Sequence, residues 1–339
     1  MNAKKIFTLV AVSGVFVALA ISAYLYYMAF TANTSFSQNE VYVYIPTDAT
    51  YEMVLQEVKP FVTDIDKFDF VAQKRNYTPK PGKYLLKKGS NSFALLRAMY
   101  ANIPVKVAFN NQETINDLAV RLSAQLEPSV ESFETAFTDS TFLADNKLNK
   151  EAALALFIPN TYEFYWNTTA EEFIVRMARE YKRFWNEDRV VKARSLNLSQ
   201  SEVSTLASIV QSEQAAKKDE RAVVAGLYLN RLRKGMRLES DPTLIHAIGD
   251  FTIKRVLNIH KEINSPYNTY RNAGLPPGPI LLPEIESIDA VLNASKHNYL
   301  FMCAKEDFSG YHNFSESYRE HVNNAKRYQR ELNKRKIYK

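Results

Sequence analysis

The chain has 339 residues, with 43 basic and 37 acidic side chains, a formal net charge of +6, one cysteine and 46% apolar residues. Those ordinary fractions exclude a disordered, collagen-like or low-complexity chain. The single Cys303 excludes an internal disulfide and leaves no zinc-finger or iron–sulfur framework, while the length predicts roughly two domains.

Lys4 and Lys5 are followed by no charged residue until Glu40, and residues 6–30 are almost unbroken apolar and small side chains. At about 1.5 Å rise per residue, this run is long enough to cross a hydrocarbon core of about 30 Å. A cleaved signal peptide is the alternative, with small residues at Ala18-Leu19-Ala20 and Ser22-Ala23. The run continues through Tyr24, Leu25, Tyr26, Tyr27, Met28 and Phe30, which favours an uncleaved transmembrane helix with tyrosines at the interface. Two lysines before the run and none soon after it predict a cytoplasmic stub, 1–5, and a periplasmic or extracellular remainder. The expected protein is a single-pass cell (inner) membrane protein.

A polar spacer, 31–40, follows. Val41-Tyr-Val-Tyr-Ile45 and Val105-Lys-Val-Ala-Phe109 both alternate with period 2 and predict strands. Each leads through a turn into a helical pattern at a constant offset of 64 residues, with Thr50 and Thr114 as candidate N-caps. Between the copies, Lys80-Pro-Gly-Lys-Tyr84 predicts a turn into a short strand, and residues 92–101 predict a helix. Together these form a small α+β module over 41–150. Beyond it, Phe157-Ile-Pro-Asn-Thr-Tyr162 is aromatic-rich and broken by proline. Residues 169–195 predict one helix with Phe173, Met177, Tyr181 and Phe184 on its buried face. After Asp241 the elements are short and the loops long, and loops carry function more often than regular elements do.

Ser199-Gln-Ser-Glu202 is a capping box. Val203, Leu206, Ala207 and Val210 follow at i, i+3, i+4 and i+7 and form one apolar stripe. Glu213 projects from the edge of that stripe, whereas Gln211 points well away. A carboxyl held against an apolar face loses hydration, which favours its neutral form. That is the state a general acid needs near neutral pH. The bland alternative is a Glu at a helix end whose carboxylate reaches solvent or a cation. A second helix over 220–234, stopped by Gly235, carries Asn230-Arg231-Leu232. Asp241-Pro242 predicts another helix start, with Asp as N-cap and Pro at the first helical position. Ser265-Pro-Tyr267-Asn268-Thr269-Tyr270 and Gly274-Leu-Pro-Pro-Gly278-Pro-Ile280 are loops of polar and aromatic groups with proline-fixed φ. Such loops suit sugars, whose hydroxyls they bond and whose ring faces they stack on.

Five stretches together carry a resemblance: Leu206-Ala-Ser-Ile-Val-Gln-Ser-Glu213, Asn230-Arg-Leu-Arg-Lys-Gly-Met-Arg-Leu-Glu-Ser-Asp241-Pro-Thr243, the two loops just named, and Gly310-Tyr-His312-Asn-Phe314-Ser315 with His321. In order and spacing, over about residues 155–325, they resemble the MltG-type (YceG-like) endolytic murein transglycosylases. Asn160 departs from the Pro-Asp pair usual at its place in the family. The apolar N-terminus and a LysM-like module over 41–150 also look like the family's layout. The resemblance implies an α+β fold: a transmembrane helix, the LysM-like α+β module, and a mixed α/β catalytic domain over 151–339 with a lytic-transglycosylase-like site.

The resemblance also places the family's catalytic residue on Glu213. Many relatives carry a second Glu where this chain has Gln211, which implies that an acid at 211 is dispensable. The implied substrate is the glycan strand of peptidoglycan, cut at the β-1,4 bond between N-acetylmuramic acid and N-acetylglucosamine. The implied products end in 1,6-anhydro-N-acetylmuramic acid, and the implied role is to terminate elongation of nascent strands. Glu213 would protonate the leaving oxygen and then, as a carboxylate, take the proton of the muramoyl C6 hydroxyl. That hydroxyl attacks C1 of its own sugar and so has a high effective concentration. Asn230, Arg231, Asp241, Tyr267, Asn268 and Tyr270 are assigned as substrate contacts or supports of Glu213. The protein partners implied are peptidoglycan synthases or divisome proteins.

Hydrolytic glycosidases usually need a second carboxylate. Glu220, Glu239 and Asp241 are the candidates, so a muramidase is one alternative. A non-catalytic peptidoglycan-binding or divisome scaffold protein is the other. No cofactor and no metal are expected, because His246, His260, His297, His312 and His321 lack ligand spacing. Nucleic acid is not an expected partner either. Residues 319–339 hold eight basic and two acidic side chains, so the excess charge belongs to a C-terminal tail and the two N-terminal lysines.

Overall fold

The computed structural model describes residues 3–253 and 255–337. Met1 and Asn2 of the expected stub, and Tyr338 and Lys339 of the basic tail, lie outside the described residues. The chain forms two compact units. The first holds residues up to 107 together with 125–128 and 162–169; the second holds 108–124, 129–161 and 170 onward.

The first unit opens with α1 (Ala3–Phe30), a single helix long and apolar enough to cross a membrane. Its large apolar side chains from Ile6 to Tyr27 stand exposed, and only its last turns pack on the unit. Tyr24 meets Phe70 edge-on at 5.9 Å, and Phe30 meets Phe93 at 5.7 Å. The Lys67 ammonium lies 3.7 Å from the centre of the Tyr27 ring and bonds Thr31 Oγ1 at 3.1 Å. After α1 come β1 (Glu40–Ile45), α2 (Tyr51–Val58), α3 (Ile65–Lys74), β2 (Gly82–Lys87) and α4 (Ser92–Ala98). β1 and β2 pair antiparallel, from Glu40 opposite Lys87 to Ile45 opposite Gly82. The period-2 pattern of β1 turns Val43 and Ile45 into a core with Val54, Val58, Phe68 and Leu86. Thr50 caps α2 by accepting from the Met53 N–H.

β3 (Pro104–Phe109) leads to α5 (Ile115–Ser123), whose N-terminus carries a complete Thr114–Asp117 capping box. α6 (Val130–Phe137), α7 (Ser140–Asp145) and β4 (Asn160–Tyr165) follow, and β3 and β4 form a second two-stranded sheet. The module expected over 41–150 has its residues in both units. Residues 41–107 and 125–128 belong to the first, and 108–124 and 129–150 to the second.

Residues 169–195 form two helices rather than one, α8 (Ala170–Phe184) and α9 (Glu187–Ser195). The break comes from Asn186, whose side chain accepts from the Arg189 N–H at 3.0 Å and caps a new helix. α10 (Gln200–Glu213) starts at the predicted Ser199–Glu202 capping box. A single 3₁₀ turn leads into α11 (Arg221–Arg233), and Gly235 follows it at φ 65°, a left-handed value that glycine adopts freely. α12 (Asp241–Ile248) has Ser240, not Asp241, as its N-cap residue. α13 (Ile285–Leu292), β5 (Phe301–Ala304), β6 (His312–Ser315) and α14 (Tyr318–Lys334) complete the chain. β5 and β6 pair antiparallel, from Phe301 opposite Ser315 to Ala304 opposite His312.

Candidate active site

α10 passes through the core of the second unit, with every residue from Val203 to Gln211 buried. Its last residue, Glu213, is half-buried. Tyr228 of α11 donates its phenol to Glu213 Oε1 at 2.8 Å. Ser240 donates its hydroxyl to the same oxygen at 2.5 Å. Among the described residues none bonds Oε2. In the protonated form of Glu213 the proton belongs on Oε2, since Oε1 is occupied as a double acceptor. Burial pushes the Glu213 carboxyl above the ordinary carboxylate range, and the Asp241 charge adds to that. The bonds from Ser240 and Tyr228, and the nearby His312, pull the other way. Burial and the Glu213 charge likewise hold the Tyr228 phenol well above its usual range.

A buried loop holds Ser240 in place. The Ser240 N–H donates to Thr269 Oγ1 at 3.0 Å, and the Glu239 N–H donates to the Thr269 carbonyl at 3.1 Å. Asn268, fully buried, fixes that loop. Its Nδ2 donates to the carbonyls of Lys261 and Ile263 at 3.0 and 2.8 Å, and its Oδ1 accepts from the Tyr270 N–H at 3.0 Å. Arg231 grips the strand end and the segment before Ser240 together. Its Nε donates to the Leu300 carbonyl at 2.7 Å, and its Nη1 to the carbonyls of Arg237 and Leu238, each at 2.9 Å. Glu239 turns the chain with a left-handed φ of 52°, which costs a non-glycine residue about 1–2 kcal/mol.

These groups open onto a cleft of about 360 Å³. Glu213, Tyr228, Arg231, Glu239, Asp241 and Tyr270 line it, with Phe301, His312 and His321 among its other walls. Of the residues singled out in the sequence, Glu213, Arg231, Asp241 and Tyr270 are brought together here. Tyr270 donates to Asp241 Oδ1 at 2.6 Å, and burial together with that carboxylate raises its phenol pKa. Asn230, Tyr267 and Asn268 do not line the cleft. Asn230 Nδ2 instead donates to the carbonyls of His297 and Tyr299 at 2.8 and 3.0 Å. The Tyr267 ring packs 4.6 Å from that of His246. A buried amide side chain near unpaired carbonyls holds backbone, and Asn230 and Asn268 are both of this kind.

Tyr228, Ser240 and His312 are functional candidates that the sequence reading leaves in the background. Tyr228 stands three residues before Arg231, so helical spacing alone puts both on one face. Ser240 lies inside the Glu239-Ser-Asp241 stretch, but nothing in the sequence shows its hydroxyl turned away from the helix it caps. Gln211 is buried, and its Oε1 accepts from the Glu284 N–H at 2.7 Å and from Ser287 Oγ at 2.9 Å. Glu220 is buried and bonded to Gln214 and His312, so it does not reach the cleft. Of the three candidate second carboxylates, Glu239 and Asp241 line it. A larger groove, about 1570 Å³, lies on the opposite face of α11, along Gly226, Leu229 and Arg233. Its one carboxylate, Glu202, is committed to the Ser199 N–H at 2.7 Å. Among the described residues no three His, Cys, Asp or Glu side chains form a metal-binding group.

The fold is mixed α+β after an apolar N-terminal helix, and its cleft presents three carboxyls, of which Glu213 alone is half-buried, between aromatic and polar walls. The chain matches the YceG-like family over residues 43–327, and it belongs to that family. An endolytic murein transglycosylase of Bacillus subtilis is 29% identical over 262 residues, covering 72% of this chain and 71% of the relative. Endolytic murein transglycosylases from two strains of Streptococcus pneumoniae are each 28% identical over 274 residues, covering 70% of this chain. The chain spans about half the length of those two relatives, 49%. A crystal structure of a YceG-like protein from Listeria monocytogenes aligns with a TM-score of 0.59 at 27% identity, over 85% of this chain and 99% of that one.

Proposed function

We propose that this protein is a membrane-anchored endolytic peptidoglycan lytic transglycosylase. The observation that carries the reading is Glu213: a half-buried carboxyl of raised pKa, with both donors on Oε1 and Oε2 left to face a substrate. The names of the Bacillus and Streptococcus relatives support the reaction class. In this reading Glu213 Oε2 gives its proton to the glycosidic oxygen between N-acetylmuramic acid and N-acetylglucosamine, and the C1–O bond breaks. The resulting carboxylate accepts the proton of the muramoyl C6 hydroxyl as its oxygen bonds C1. The acid is regenerated and a 1,6-anhydro end is left, with no water consumed. The bonds from Ser240 and Tyr228 favour release of the carboxyl proton, while burial favours keeping it, and burial is the larger effect.

Arg231, Asp241 and Tyr270 are proposed as cleft contacts, and Asn268 as a support that acts through Thr269 and Ser240. α1 serves as the single-pass anchor, with the two units outside the cytoplasm and close to newly made strands. The compact β1–α2–α3–β2 arrangement supports a LysM-like, wall-binding role for the membrane-proximal unit.

The test is digestion of nascent glycan and purified sacculi, with the new ends identified by mass spectrometry for wild type and Glu213→Gln. Anhydro ends from wild type and none from the variant are expected. Ordinary reducing ends would establish a muramidase using Glu239 or Asp241. Wall binding without cleavage, unchanged in the variant, would establish a non-catalytic binding protein.

A further inference from the structure

Behind the wall of the same cleft that His312 lines stands a second built group, Glu220–His312, that the reaction above does not use. Glu220 Oε1 accepts from the His312 backbone N–H at 2.9 Å, and its Oε2 lies 2.7 Å from His312 Nδ1. Glu220 therefore holds both the main chain and the ring of one residue. Gln214, adjacent to Glu213 and buried, closes the arrangement: its Nε2 donates to Glu220 Oε2 at 2.5 Å and to the Gly310 carbonyl at 3.1 Å.

This geometry fixes the tautomer. Gln214 Nε2 also lies 3.3 Å from His312 Nδ1, but an amide nitrogen has two hydrogens, and the shorter contacts to Glu220 Oε2 and the Gly310 carbonyl engage both. A carboxylate oxygen has none to give, so the short contact between Glu220 and His312 needs a proton on Nδ1. The neutral ring then carries a bare lone pair on Nε2, its other nitrogen. No described residue bonds Nε2, although His312 lines the cleft with Glu213. A buried carboxylate that orients an imidazole whose second nitrogen faces a cavity is the arrangement used to present a fixed acceptor.

We infer that His312, held by Glu220 and Gln214, is a substrate contact whose Nε2 accepts a hydrogen bond from a sugar hydroxyl or acetamido N–H of the bound glycan. The inference deepens the reading of this cleft as a glycan site and rests on it. It assigns His312 to binding and leaves proton transfer to Glu213. Because Gln214 links the pair to the end of α10, the contact also ties the seat of the sugar to the seat of the acid.

Two measurements on the detergent-solubilised full chain test this. The first is steady-state cleavage of soluble, uncrosslinked glycan by wild type, His312→Gln and Glu220→Gln, with thermal melts to verify folding. A lost hydrogen bond predicts that His312→Gln raises KM about 10-fold with kcat within about 3-fold. An unchanged KM would overturn the inference. A drop in kcat of about 100-fold or more would overturn it too, since it would place His312 in proton transfer.

The second measurement needs no turnover: the ¹⁵N spectrum of chain labelled in its histidines, with and without glycan. The expected signal for His312 is the Nδ1–H tautomer, with Nε2 moving when glycan is added. An Nε2–H tautomer, or no response to bound glycan, would refute the assignment. A wild type that binds glycan through Nε2 but never cuts it would sink the transglycosylase reading while sparing this one.

Discussion

Replacing Ser240 with Ala removes the shorter hydrogen bond on Glu213 Oε1, at 2.5 Å, and leaves that of Tyr228, at 2.8 Å. A hydrogen bond to a charged group is worth about 1.5–3 kcal/mol, roughly 10- to 100-fold in an ionisation equilibrium. The bond favours the carboxylate, so its loss favours the acid, and Glu213 should keep its proton to higher pH. For a general acid the protonated form is the active one. The basic limb of kcat/KM should therefore move to higher pH, while the plateau stays within about 10-fold of wild type because Tyr228 still orients the carboxyl. Folding should respond with the same sign. A carboxyl whose folded pKa is raised contributes stability that is complete at acid pH and is lost as pH rises from the ordinary glutamate value through the folded one. The stability deficit of Ser240→Ala should thus be larger at pH 8 than at pH 4. The assay is the initial rate of anhydro-end formation across pH, paired with melting curves at both extremes. A basic limb that moves down, or stays put in a folded variant, would refute the reasoning.

Other outcomes follow from neighbouring residues. Glu213→Gln should lower turnover by at least about 100-fold. By removing a buried charge it should also melt above wild type at pH 8, the gap closing on acidification, as circular dichroism can follow. Gly226→Ala should destabilise. In an open helix this change stabilises by about 1 kcal/mol, but here the new Cβ would lie 2.3 Å from the Ser295 carbonyl oxygen; a raised urea midpoint would contradict the packing. Arg221 is 1% exposed and bonds Glu284 at 2.8 Å, Ser287 at 2.8 Å and the Gln214 carbonyl at 2.9 Å. Arg221→Met should cost about 3–5 kcal/mol by denaturant titration, since it strips a partner from a buried network.

Local signals carried much of the fold. The capping boxes at Ser199 and Thr114, the period-2 run ending at Ile45 and the apolar stretch up to Phe30 each depend on neighbours in sequence, and each forms the element it predicts. The break at Asn186 was hidden because Phe184 keeps the helical phase up to the gap, so periodicity alone reads through it. β5 and β6 were hidden for a different reason. Each has four residues, too few for a period to emerge, and each exists through the other. The site divides along the same line. The place of Glu213 at the cleft was legible because a helical wheel sets it at the edge of an apolar stripe. Asn230 and Asn268 drew attention as polar residues in dense motifs, yet their amides hold backbone carbonyls, a choice made only once the chain has folded around them.

The junction at Glu239-Ser240-Asp241 shows where local rules yield to the site. The run Ser240-Asp241-Pro242 is ready-made to start a helix, and the expected arrangement uses Asp241 as the cap. Instead Ser240 takes the N-cap position and makes no side-chain cap bond, because its hydroxyl is turned to Glu213. Forgoing such a cap costs about 1 kcal/mol, and the left-handed Glu239 adds a comparable penalty just before it. Both penalties fall on consecutive residues whose N–H groups are bonded to the buried Thr269. A helix start of unremarkable sequence would relax into its better cap unless packing over-determined it. The Asn268–Thr269 loop supplies that packing, and what it secures is a hydroxyl aimed at Oε1. It follows that Thr269→Val, which removes the acceptor for the Ser240 N–H but keeps the volume, should let the junction relax towards its helix cap. The expected result is a pH profile like that of Ser240→Ala with both residues of the Ser240–Glu213 pair still present. A Thr269→Val profile identical to wild type would mean that the helix start holds Ser240 in place without the loop.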